Sequence, residues 1–218
     1  MIIKVIEPFR KLEKNWVYDF SVLNKFKTLT IVGENGCGKS SLFQALRGKF
    51  DTNNKSMHQD YNKLLSDNIE IEHNYDNILF LDSVKDNGTD FMNAYDAIQL
   101  INSGGYEAQN LSHGESSIFY LFRFLKQNEN AIIPDKTLLI LDEIDAGLSL
   151  QRQSTIGTVI NGIQRKYGCH IIVISHNPFL MHQLQPIFDF NNRKLAKAND
   201  YIKKTTNYTL VKHINETT

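Results

Sequence analysis

Only two cysteines, Cys37 and Cys169, occur in 218 residues, and neither stands in a metal-ligand spacing. The pair fits a reducing compartment in which the thiols do little redox work, so the chain reads as cytoplasmic. An excess of charge is missing too: 24 basic residues meet 24 acidic ones. No long-range field recruits nucleic acid or anionic lipid, although a local basic patch is compatible with the balance. Long apolar runs are lacking, and the longest, "TLLILDEI", is far too short to cross a bilayer. The opening "MIIKVIEPFRK" carries acid early and no extended apolar core, so no secretion signal is read there. Neither internal repeats nor heptads long enough for a coiled coil are found.

What is present is an ordinary globular composition, 41% apolar and 22% charged, at a length of one large domain or two small ones. Short apolar runs alternate with helix-like segments, which favours an α/β architecture with a largely parallel sheet. Strands are expected near 2–6, 15–22, 28–32, 77–82, 137–142 and 169–174. "NILFLD", "TLLILD" and "CHIIVIS" are nearly continuous apolar runs, as in strands covered on both faces. Helices are expected at 39–48, 91–102, 113–127 and 149–166. The last carries Ile156, Val159, Ile160 and Ile163 at i, i+3, i+4 and i+7. The polar segment 51–76 reads as looped with one short helix. The tail 186–212 alternates weakly, as an antiparallel hairpin does.

"GENGCGKS", residues 33–40, follows the strand "TLTIV" and opens a helix, so it fits G-x-x-x-x-G-K-[ST] in its strand–loop–helix context. Gly33, Gly36 and Gly38 let the backbone curl until successive N–H groups converge on one anion. Lys39 then reaches the β- and γ-phosphates, and Ser40 supplies a hard oxygen for Mg²⁺. Glu34, Asn35, Cys37 and Ser41 complete the loop, with Cys37 as a compact filler. "TLLILDEID" ends a strand in carboxylates. Solvated strand ends are often acidic; after a phosphate loop, Asp142 is the candidate metal ligand and Glu143 the base that activates water. "VISHNP" ends another strand, where a histidine is commonly satisfied by a backbone carbonyl. On a strand beside that of Asp142, His176 can instead bond the γ-phosphate. "LSHGESS", residues 111–117, is a capping box, Ser112 to Glu115, that opens into "IFYLFRFL". A helix start of this kind also presents free N–H groups to an anion.

With these four motifs in this order, the chain resembles the ATP-binding-cassette (ABC) ATPase superfamily. "GENGCGKSS" resembles its Walker A, "LSHGE" its signature, "LLILDE" its Walker B and "ISH" its switch histidine. The resemblance implies a P-loop NTPase fold over a single 1–218 domain. A mainly parallel sheet is flanked by helices, with an N-terminal antiparallel β portion and a reduced helical lobe at about 84–127. It implies ATP and Mg²⁺ as ligands and an ATP-dependent, head-to-tail homodimer. In that pair Ser112, His113, Gly114 and Glu115 of one copy close over the nucleotide of the other, and Asp145 is the D-loop carboxylate. Within the superfamily, "PFRK" and Glu115 resemble SMC- and RecF-type soluble members, which makes Arg10 and Lys11 candidates near adenine and ribose.

Two departures stand out. The family's Q-loop glutamine is missing after "NILFLD"; Asp82 or Ser83 takes its place, or the metal contact is made differently, and Gln59 lies before that strand. The long arms of SMC-type proteins are also missing. The reading that follows is a soluble ATPase whose dimerisation switches a separate effector, in DNA maintenance or bacterial or phage conflict. Nucleic-acid binding is possible on this reading but is not indicated by charge. The alternative is the ATP-binding subunit of an ABC membrane transporter, a membrane partner being the lesser expectation. A nucleotide-gated binding module that hydrolyses little is a third.

Overall fold

A computed structural model describes residues 1–50, 59–82, 113–146 and 148–205. Two sheets organise them. The larger has six strands: β3 (Thr28–Val32), β5 (Asn77–Asp82), β6 (Thr137–Asp142), β7 (His170–Ile174), β8 (Ile187–Asp189) and β9 (Lys194–Ala196). Their order is β5-β6-β7-β3-β8-β9, all parallel except β9, which returns antiparallel to β8. The smaller sheet is antiparallel, ordered β2-β1-β4, from β1 (Ile2–Val5), β2 (Val17–Asp19) and β4 (Ile69–Glu72). The helices are α1 (Leu23–Phe26), α2 (Lys39–Phe50), α3 (Gln59–Ser66), α4 (His113–Gln127), α5 (Leu150–Tyr167) and α6 (Pro178–Gln183), and residues 198–205 are also helical.

The period of two along each central strand divides the core into two layers. Leu138, Ile140, Ile172 and Ile174 face one way and pack with Leu42 and Leu46 of α2 and with Ile3, Tyr18 and Ile69 of the small sheet. Leu139, Leu141, Ile171 and Val173 face the other way and meet Ile156, Ile160 and Ile163 of α5, Leu121 and Leu125 of α4 and Leu180 of α6. Each such side chain withdrawn from water contributes about 1.5–3 kcal/mol. Both faces are covered, so β3 and β7 are buried at every position, which is why their sequences run apolar without alternation. The stripe expected on 149–166 is the buried face of α5.

The structure corrects the sequence reading in three places. The strand expected at 15–22 is only three residues long, because chain reversal and a short helix at Leu23–Phe26 take up the rest. The segment 51–76 holds its expected helix, α3, but also β4, whose four residues pair with β1 from Ile2↔Glu72 to Val5↔Ile69. "IEIE" is too short and too charged to read as a strand alone, and its partner lies more than 60 residues away. In the tail, the β8–β9 hairpin replaces only part of the expected alternation, since residues 198–205 turn helical. The helix expected at 91–102 and most of the lobe at 84–127 lie outside the described residues; α4 lies within them.

Candidate nucleotide site

The C-terminal ends of β3, β6 and β7 open on a cavity of about 380 Å³. Its walls bring together Arg10, Lys11, Asn35, Gly36, Gly38, Lys39, Ser40, Ser41, Asp142, Glu143, Ile174 and His176. Every Walker-type residue that could face it is therefore drawn to one place from four stretches of sequence.

β3 delivers the phosphate loop. Gly36 and Gly38 have φ of +74° and +106°, a region that a side chain enters only with strain. At Gly38 a Cβ would also stand 2.8 Å from Cδ2 of Leu12. Leu12 belongs to a tight reversal in which Phe9 and Leu12 exchange both backbone hydrogen bonds, 3.0 and 2.9 Å. That reversal lies on the loop and carries Arg10 and Lys11 to the cavity. The Arg10 guanidinium donates to Ser41 Oγ and Gln44 Oε1, each at 3.1 Å, on the first turns of α2. The sequence reading brought Arg10 to the site; its contacts here are with α2 beside the loop.

Lys39 is buried, and its ammonium donates to the carbonyls of Gly33 at 2.8 Å and Glu34 at 3.0 Å. Cys37 Sγ lies 3.6 Å from the same nitrogen, and the side chain packs on the core beneath the loop. A residue the sequence reading missed, Asn191 after β8, accepts a hydrogen bond from Glu34 N–H at 2.9 Å and so pins the loop from the far side. Nothing local in "FDFNNRK" marks it; only the β3–β8 pairing brings it close.

β6 and β7 deliver the acids and the imidazole. Asp142 ends β6, level with Ile174 of β7. Glu143 then takes φ of +52°, costing about 1–3 kcal/mol for a residue with a side chain. Its N–H donates to Ile174 O at 3.0 Å, which holds this turn at the cavity wall. Asp145 follows in a turn closed by Leu148 N–H to Asp145 O, 3.2 Å. His176 is held on a short loop: Ser175 Oγ accepts from Asn177 N–H at 2.9 Å, and Asn177 Oδ1 caps α6 through Phe179 N–H at 2.8 Å. Partial burial of the ring, and then the Lys39 ammonium, lower the pKa of His176, while Asp145 opposes them. The imidazole is thus kept neutral, with one nitrogen to donate and one to accept.

Asp82 bears on the missing glutamine. It ends β5 in register with Asp142, one strand over and on the same side of the pleat. Ser83 lies outside the described residues, and Gln59 opens α3, which precedes β5 in the chain. Ser112 also lies outside them. His113, Gly114 and Glu115 are helical, in α4.

Comparison with known proteins agrees with this geometry. The family model described as ABC transporter matches residues 19–146. Among curated proteins, the zinc import ATP-binding protein ZnuC of Buchnera aphidicola subsp. Schizaphis graminum is 27% identical over 72% of this chain and 66% of its own length. That of Vibrio parahaemolyticus is 28% identical over 73% of this chain and 60% of its own. The match spans between 58% and 70% of the length of the curated relatives. Among solved structures, cbiO1 from Clostridium perfringens, part of the ABC transporter complex cbiONQ, superposes with a TM-score of 0.51. It is 20% identical over 93% of this chain and 91% of that one. A dimeric ATP-binding cassette in a post-hydrolysis state, bound to ADP and Pi, superposes with a TM-score of 0.50 at 14% identity, over 91% of this chain and 99% of that one. These likenesses show the fold, a P-loop NTPase of the ABC-ATPase type. The family model covers more than half of the chain, and on that ground the chain belongs to the ABC transporter family.

Proposed function

We propose that this chain binds and hydrolyses ATP as the ATP-binding subunit of an ABC membrane transporter, working as a head-to-tail pair. The single observation that carries the nucleotide reading is the cavity in which Lys39, Ser40, Asp142, Glu143 and His176 converge. The relatives support the transporter over the soluble switch in DNA maintenance or conflict: those reported above are transporter ATP-binding proteins, not SMC- or RecF-type proteins. The family match over residues 19–146 takes in the phosphate loop, Asp142 and Glu143, so ATP binding is carried over and the zinc cargo named in those relatives is not. Among the described residues no helix is long and apolar enough to cross a membrane.

The chemistry follows from what each group offers. Lys39 turns its ammonium to the β- and γ-phosphates from the mouth of the loop. The Ser40 hydroxyl and the Asp142 carboxylate line one cavity and are hard oxygen donors, so they fit magnesium. When bound, the ion offsets phosphate charge. Asp82, in register with Asp142, is the candidate for the role of the absent glutamine and would offer a further carboxylate toward the ion. Glu143 orients a water against the γ-phosphorus and takes its proton as the new P–O bond forms. The bond to the β–γ bridging oxygen then breaks and ADP departs. His176 in its neutral form donates a hydrogen bond to the γ-phosphate. Gly114 of a second copy, in α4, closes the site together with Ser112, its neighbour in the signature sequence.

The test is sedimentation of Glu143→Gln with magnesium and ATP. Removing the base slows hydrolysis by roughly 10²–10⁴-fold, so the variant accumulates as an ATP-bound dimer; turnover at the parent rate would place the base elsewhere. Single subunits alone, at saturating nucleotide, would remove the head-to-tail pair. Copurification with a membrane-spanning protein supports the transporter reading. One observation favours the soluble switch instead: only 30 residues separate Asp82 from His113, where a lobe that grips a membrane partner has to fit. Stimulation of turnover by DNA or a soluble protein, with no membrane partner recovered, would favour it.

A further inference from the structure

The three strands that end at the nucleotide site are also tied together where they begin. β3 leads to the phosphate loop, β6 to Asp142 and Glu143, and β7 to His176. Lys27 immediately precedes β3, Asp135 stands two residues before β6, and His170 opens β7. At this foot of the sheet their side chains meet. Lys27 Nζ lies 3.0 Å from His170 Nε2 and is paired with the Asp135 carboxylate, which is itself 3.5 Å from His170 Nε2. The other ring nitrogen, Nδ1, is 2.7 Å from the Tyr75 hydroxyl. His170 is 4% exposed, so the histidine end of the network is in the interior, and the network reaches solvent at Asp135 and, in part, at Lys27. Backbone bonds run alongside: Ile171 N–H to Lys27 O at 2.8 Å and Asp135 N–H to Gly168 O at 3.0 Å. Lys27 and Asp135 both hold positive φ, +63° and +56°, a conformation that persists only where surrounding contacts enforce it.

We propose that Lys27, Asp135 and His170 form a clasp that sets the alignment of the three site-bearing strands, and that a proton on His170 loosens it, lowering nucleotide affinity on acidification. His170 is thus a positioning residue, remote from the reacting atoms, and its effect on nucleotide rests on the ATP-binding reading above. The wiring explains the sensitivity. An ammonium only donates, so Nε2 accepts from Lys27 and the single ring proton sits on Nδ1, directed at Tyr75. A second proton on Nε2 displaces that bond and sets two cations side by side, with Asp135 the one carboxylate close by. Burial, and then the Lys27 ammonium, lower the pKa of His170; Asp135 raises it, and the amino terminus lowers it slightly. His73, stacked on Tyr75 at 6.3 Å, and Cys169, Asp76 and Lys136, which adjoin His170, Tyr75 and Asp135 in the chain, are further titratable groups nearby. Because the folded state favours the neutral ring, the clasp is at full strength above about pH 6.5, the value of a free histidine. Its contribution is lost as pH falls below that toward the folded value.

The experiment follows the full chain between about pH 7.5 and pH 5.5, recording nucleotide affinity with a fluorescent ATP analogue, the urea midpoint and the ¹³Cε1 signal of His170. In the parent, affinity and urea midpoint both fall with the His170 titration. His170→Gln, neutral throughout, removes from both curves the part that follows the His170 signal and leaves the part due to His176 in the site. Lys27→Met moves the His170 titration to higher pH and Asp135→Asn moves it to lower pH, and the affinity curve moves with each. Unchanged pH dependence in His170→Gln would overturn the clasp, as would a titration that shifts without the affinity curve following. If His170→Gln does not fold, Asp135→Asn at the exposed end decides alone. The loss of binding in Lys39→Ala, with no effect of the foot variants, removes the clasp and leaves the ATP reading standing.

Discussion

The two ends of the same three strands treat polar groups in opposite ways. At the C-terminal ends, lysine, carboxylates and imidazole gather around open space, about 380 Å³ of it. At the N-terminal ends, lysine, aspartate, histidine and tyrosine fill the space with one another. Strain follows the same division: Gly36, Gly38 and Glu143 hold positive φ to shape a cavity, Lys27 and Asp135 hold it to close a contact. The groups that meet the nucleotide and the groups that hold the strands in place can therefore sit at opposite ends of one set of strands.

Substitutions at the two ends should separate accordingly. The largest effect belongs to Lys39→Ala, which removes two charge-assisted hydrogen bonds to phosphate, about 3 kcal/mol or roughly a hundredfold in affinity for magnesium ATP. Isothermal titration measures it, and unchanged affinity would refute the phosphate-loop assignment. Gly38→Ala comes next. Forcing a side chain into φ of +106° against Leu12 should cost about 1–3 kcal/mol in stability and also weaken nucleotide binding. If urea unfolding moves while affinity does not, the loop is less tightly coupled to the site than its contacts imply.

Two tyrosines sharpen the comparison further. Burial pushes the Tyr75 hydroxyl up to about 12, so it stays protonated and hydrogen-bonded to His170. Removing it in Tyr75→Phe should cost about 1–2 kcal/mol of unfolding free energy at neutral pH and leave ATP affinity within error. Tyr18 is fully buried among Phe20, Phe188 and Phe190, and its hydroxyl has no hydrogen-bond partner among the described residues. Tyr18→Phe, the smallest effect, should be neutral or stabilise by up to about 1 kcal/mol, because it deletes an unsatisfied polar atom. Destabilisation of more than that in thermal melts would mean the hydroxyl is bonded after all.

Much of this was legible in advance because the relevant signals are local. "GENGCGKS" carries its glycines and lysine within eight residues, and the strand before it and helix after it are both visible in the apolar pattern. Asp142, Glu143 and His176 were legible because each directly ends a fully apolar strand, where a polar group has to emerge at the sheet's edge. What escaped the sequence depended on distant partners. β4 becomes a strand through β1, Asn191 reaches the loop through the β3–β8 pairing, and His170 looks like part of an apolar run until Lys27 and Asp135 arrive beside it. The expected soluble, SMC-like branch rested on short stretches such as "PFRK", which carry less weight than a family match across residues 19–146.

The sequence by itself determined the phosphate loop, the acids and histidine at the strand ends and the two-faced burial of the central strands. Each of these is written in neighbouring residues, where backbone sterics and hydrophobic period act directly. Only the tertiary structure decided that β5, β6, β7 and β3 lie in that order, that Asp82 stands level with Asp142, and that the strands are bound at the foot by a buried histidine. Those facts are set by strand pairing over long separations, and pairing is chosen by how the whole core fills, not by any one segment.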